Sequence, residues 1–227
     1  EELLALLAGQ KNPENLSKTY ILKNDIVLTS PWTIVGIAPN EDEGIVGVPF
    51  TGVFDGKGHT ISGLEMPGGG WNKAIFGMIG ETGIVKNVKF SGAIEANAWS
   101  GVIAVNNSGL VENIIVDMVM YAYAGNAGAI LEHNVGTVRN IIVTGRVATD
   151  GTTNVGLFAT NNGTVENIFA NAETVNTLNL TAVGQVVDTN GFIISAELFN
   201  LGSTYAALDT TIWNVTETGV PTLKVQE

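Results

Sequence analysis

One short phrase recurs through the middle of the chain and restricts its fold more than any bulk property does. Residues 83–88 read GIVKNV, 109–114 GLVENI, 136–141 GTVRNI and 163–168 GTVENI. The opening glycines, Gly83, Gly109, Gly136 and Gly163, lie 26, 27 and 27 residues apart (109−83, 136−109, 163−136), and Asn87, Asn113, Asn140 and Asn167 keep the same intervals. A second glycine recurs in step, as Gly77, Gly101, Gly128, Gly156 and Gly184. Two markers holding one register over several copies define a repeat, and a fixed period in this range belongs to stacked or radial architectures.

Within a unit the residues form short β-prone runs, such as GLFAT, VENIFA and ETVNTLNL, punctuated by Gly, Asn, Asp and Thr. A propeller blade needs about 40 residues, and a leucine-rich repeat needs a leucine ladder that is missing here. Each unit therefore reads as one triangular coil of a parallel β-helix, stacked on its neighbour at about 4.8 Å. Alternation along the phrase points Val85, Val111, Val138 and Val165 inward, where like residues stack into a core. Lys86, Glu112, Arg139 and Glu166 then point outward, which agrees with their free variation in charge. The asparagines are expected at a bend, each amide bonding its neighbours along the stack. A second ladder is expected through Asn107, Asn134 and Asn161, and the glycines are expected to supply positive φ at the corner.

Composition limits the partners. Twenty-two acidic against ten basic residues leave a net charge of −12, which disfavours phosphate backbones and anionic membranes. No run reaches the roughly 18–20 apolar residues that a membrane helix needs, so membrane insertion is not expected. The 227 residues are 45% hydrophobic, enough for a sizeable core, and contain no cysteine, which removes disulfides and thiolate sites from consideration.

The stretch PFTGVFDGKGHTISGL (49–64), preceded by YILKNDIVL (20–28) and followed by AIFGMIG and GIVKNVKFSG, resembles bacterial surface proteins with GLUG repeats. The resemblance runs from about residue 19 to 224 and includes a closing Trp213 and Pro221-Thr222-Leu223. It implies an all-β, right-handed parallel β-helix of the pectate-lyase kind and an exported, extracellular or cell-surface location. It also implies a monomeric part of a longer polypeptide, joined to further domains, with the export signal outside this sequence.

A single domain is expected over 1–227, with a cap and lead-in strands at 1–48, repeat coils at 49–191 and an irregular C-terminal cap at 192–227. EELLALLAG (1–9) reads as a short amphipathic helix ending at Gly9 and covering the first coil, and a short helix is expected around Ala196–Leu201. His59 and Asp55 are expected to fix the first corner rather than to catalyse, and His133 falls in another coil, so no metal pair is formed. The acidic run Glu41-Asp42-Glu43 reads as a solvated turn or, less simply, a calcium loop.

Three functions compete. A binding module would use exposed aromatics, and Trp99, Tyr121 and Tyr123 occupy corresponding stretches of adjacent coils, with Trp71 joining them from the glycine loop GGGWNKA. Its ligand would be a glycan or a host surface protein. A polysaccharide lyase or hydrolase would need clustered acids and an arginine base, whereas Arg139 and Arg146 are the only arginines and the acids are scattered. A plain spacer needs no site. The favoured expectation is a non-catalytic surface module for adhesion or display, with no cofactor and no metal.

Overall fold

A computed structural model describes residues 7–40, 43–149, 155–171 and 193–227. Most of them belong to parallel strands stacked coil upon coil, so the chain is an all-β parallel solenoid, as the repeat predicts.

The four phrases lie in register on strands Ile84–Ala96, Leu110–Ala122, Thr137–Val143 and Thr164–Asn171, with Ile84, Leu110, Thr137 and Thr164 one above another. Val53–Asp55 and Thr19–Ile21 continue this ten-stranded sheet on one side, and Ile193–Ile194 adds to the other. A second, five-stranded sheet stacks Phe76–Ile79, Ala104–Asn107, Ala127–Asn134 and Val155–Asn161 as another wall. Between the walls runs one continuous core. Val85, Val111 and Val138 are fully buried in it with Phe54, Phe76 and Phe90, while Val165 packs at its margin.

Outside, the charged positions pair across coils. Arg139 places Nη2 2.7 Å from Glu112 Oε2, and Lys86 Nζ lies 3.8 Å from Asp55 Oδ2. Such partly exposed pairs are each worth no more than about 1 kcal/mol.

Asn87, Asn113, Asn140 and Asn167 form the expected column. Asn113 donates its amide to Asn87 Oδ1 at 3.1 Å, Asn140 to Asn113 at 2.9 Å and Asn167 to Asn140 at 2.9 Å. At the base of the column Asp55 Oδ1 accepts from Asn87 at 3.0 Å. The second ladder is also present with opposite polarity: Asn107 donates to Asn134 and Asn134 to Asn161, each at 2.8 Å.

The role expected of the phrase glycines needs correction. The left-handed residues are the asparagines, with φ of 55°, 55°, 56° and 52°, and none of Gly83, Gly109, Gly136 and Gly163 has positive φ. What demands glycine is close approach of backbones. A Cβ would lie 2.3 Å from the carbonyl oxygen of Gly83 at Gly109, 2.3 Å from that of Gly109 at Gly136, and 2.2 Å from that of Gly136 at Gly163. Asparagine serves at the bend because its short amide tolerates the left-handed region and bonds locally there.

At the first corner His59 N donates to Gly56 O at 2.8 Å and closes the turn. Asp55 accepts from the Lys57 and Asn87 nitrogens, whereas His59 Nδ1 lies 3.0 Å from Asp25 Oδ1. The Thr60 amide and then His59 hold the Asp25 carboxyl below its ordinary pKa.

The C-terminal segment is non-repeating, and most of it lies along the flank of the solenoid. Ser195 caps the helix Ala196–Phe199, and a 3-10 turn follows at Gly202–Tyr205. Phe199, Tyr205, Leu208 and Trp213 then bury an outer ridge made by Ile115 and Ile142, with Phe169 and Ile194 packed beside it. The segment reaches the first corner, where Gln226 N donates to Lys57 O at 2.8 Å.

At the other end of the chain a helix that sequence reading passed over, Pro13–Leu16, is capped by Asn12 and buries Leu16. Leu7 is buried and Gly9 has φ 70°, but residues 1–6 of the expected N-terminal helix lie outside the described residues. So do Glu41, Asp42, the run ETVNTLNL and Gly184.

Candidate functional site

A groove crosses the outer face of the five-stranded sheet, and three local features build it. The first is an antiparallel pairing of residues 37–40 with 45–48, through bridges between Ile37 and Val48 and between Asn40 and Ile45. It can lie against the sheet because Gly77 has no side chain; a Cβ there would sit 2.6 Å from the Ala38 nitrogen. Ala38, Ala74 and Val105, with Ile34 beside them, form the small apolar patch that seats it.

The second feature is the corner by which successive coils enter this sheet. Asn72, Trp99 and Gly125 take φ of 58°, 48° and 72°. Trp71 bridges to Ala98, so the two tryptophans come from adjacent coils, and their rings meet at 4.5 Å between centroids with planes 69° apart. A bulky residue at positive φ costs on the order of 1–3 kcal/mol, so the surroundings of Trp99 must enforce its conformation.

The third is the loop Pro67–Gly70 that carries Trp71. It is pinned: the Lys73 ammonium donates to the carbonyls of Pro67 at 2.7 Å, Met66 at 3.4 Å and Gly68, and Gly68 N donates to Glu95 Oε2 at 3.0 Å. Burial pulls the Lys73 pKa below the usual lysine value, with Glu95 opposing.

The main cavity of the groove measures 590 Å³ and is bounded by Lys11, Asn40, Glu43, Ile45 and both tryptophans. Across Asn40, Asn72 and Trp99 it passes into a recess of 300 Å³ formed with Val105, Asn106 and Glu132. Glu132 is 9% exposed and takes a hydrogen bond from Asn126 Nδ2 at 3.3 Å. Burial raises its pKa, while Asn126 and His133 work the other way.

Of the residues singled out from sequence, Trp71 and Trp99 come together here. The tyrosines do not line the groove. Tyr121 sits on the strand wall in register with Glu95 and Ala148; its hydroxyl accepts from Arg146 Nη2 at 3.2 Å, with the guanidinium 5.9 Å from the ring centre. Tyr123 is 46% exposed on the same stretch. Sequence reading missed Asn40, Asn72, Asn106 and Glu132. Glu132 had a signal, a charge inside the apolar run AGAILEHN, whereas the asparagines were hidden among the many that build corners.

The groove presents two apolar ring surfaces, three amides that donate and accept, and a desolvated carboxyl group. Among the described residues no three or more His, Asp or Glu side chains gather as a metal site, and no helix is long and apolar enough to cross a membrane. Compared with protein-family models, curated proteins and solved structures, the chain gives no match in any of the three. None of the three supports the likeness to GLUG-repeat proteins.

Proposed function

We propose that this chain is a non-catalytic binding module of an exported surface protein and that it seats a glycan chain in the Trp71–Trp99 groove. The observation that carries this reading is the tryptophan pair itself. Trp71 leaves 56% of its surface in water, its ring meets that of Trp99, and its loop is held there by Lys73 and Glu95. Aromatic faces bind the apolar C–H faces of sugar rings, and amides beside them match ring hydroxyls as paired donors and acceptors. A stacked solenoid gives such a groove a rigid floor, so little ordering entropy is lost on binding.

The test is a glycan array followed by calorimetric titration with the best-retained oligosaccharide. Trp71→Ala should weaken binding roughly tenfold or more, as loss of a central aromatic anchor does, and leave the protein folded, with a loss of about 1 kcal/mol or less from the Trp99 contact. Equal retention by both proteins would remove the groove as the seat. A blank array would leave the spacer role.

A further inference from the structure

We propose that the groove selects uncharged sugars and that the Glu132 carboxyl group at its floor rejects acidic ones; this rests on the glycan reading above. Four features of the site converge on it. Three of the polar lining side chains are neutral amides, Asn40, Asn72 and Asn106, which recognise hydroxyl and acetamido groups without demanding charge. Lys11 is the one cation among the described lining residues, and it stands with the carboxylates of Glu43 and Glu132. Lys73, which pins the loop ahead of Trp71, has its ammonium bound to the carbonyls of Met66, Pro67 and Gly68 and cannot turn to an anion without releasing them. Glu132 is nine-tenths buried, with one amide partner, Asn126, among the described residues, so a uronate, sulfate or sialate brought beside it meets a poorly screened like charge or forces proton uptake.

The whole chain adds to this at longer range, since a net charge of −12 repels anionic polymers before contact. A carboxylate with free lone pairs is also a strong acceptor for sugar hydroxyls. Glu132 therefore acts as a specificity residue in two ways, attracting a hydroxyl and excluding an anion.

The experiment compares native protein, Glu132→Gln and Trp71→Ala on an array carrying neutral hexose and acetamido-sugar oligosaccharides beside uronate-, sulfate- and sialate-bearing ones. The native protein should retain neutral chains only, with retention lost in Trp71→Ala. Glu132→Gln should bind the uronate-bearing counterpart of the best neutral chain at least tenfold more tightly than the native protein does. Thermal melting of each variant checks that it is folded. Native retention of acidic chains that disappears in Trp71→Ala would overturn the charge selection and keep the groove. Unchanged discrimination in a folded Glu132→Gln would overturn the role of Glu132. An array blank for every sugar would bring down the glycan reading itself.

Discussion

Asn113 donates its amide to Asn87, and its carbonyl accepts both the Asn140 amide at 2.9 Å and the Trp213 indole N–H at 3.5 Å. It does so from the left-handed region, at φ 55°. Two variants separate these contributions. Asn113→Ala loses the bonds and places a Cβ at an unfavourable φ, and should destabilise by about 2–4 kcal/mol. Asn113→Gly loses the same bonds but adopts that φ freely, and should cost about 1 kcal/mol less. Denaturant melts measure both, and equal losses would show that conformation at the bend contributes nothing. At this scale the inward valines and the asparagine columns were legible because one spacing repeats them. The cause of the glycines was not: positive φ and backbone crowding select the same residue, and only the stacked coordinates separate them.

Among the elements, the strands followed from alternation, and the C-terminal segment did not, because its partners are remote in sequence: Ile142 and Ile115 lie 71 and 98 residues before Trp213 (213−142, 213−115). Its Trp213 is fully buried against the ridge of Ile115 and Ile142. Those two isoleucines sit beside Ile114 and Ile141 in the sequence, so a run of consecutive apolar residues was the sign that both faces of this strand are covered. Trp213→Ala should cost about 3–5 kcal/mol, in the range of large core truncations, and should increase binding of a hydrophobic dye by uncovering the ridge. A melt within about 1 kcal/mol of the native protein would mean that the flank segment is not needed to hold the coils. The antiparallel pairing of residues 37–40 with 45–48 is likewise non-repeating, and it closes a groove that no strand pattern announces.

For the molecule as a whole, 22 acidic side chains against 10 basic ones set the electrostatics. Coil-to-coil pairs such as Arg139–Glu112 and Lys89–Asp117 use some of the cations, but the remaining acids repel one another across a compact surface. Salt screens this repulsion, since the Debye length falls from about 30 Å at 0.01 M to about 3 Å at 1 M. The melting temperature should therefore rise by a few degrees between these salt concentrations. A fall would show that the exposed pairs outweigh the excess negative charge.

By itself the sequence determined the stacked architecture, because a 27-residue period with valine, asparagine and glycine in fixed places is satisfied when each coil completes the hydrogen bonds of the one below. The tertiary structure alone decided what surrounds the two tryptophans. Trp71 and Trp99, 28 residues apart (99−71), follow the period, whereas Asn40 comes from the early antiparallel pairing and Glu132 lies 33 residues past Trp99 (132−99). The last two join the rings only after the coils have stacked and the early antiparallel pairing has folded over them. Contacts of that kind are set by geometry between distant segments, and they leave no period in the chain to read.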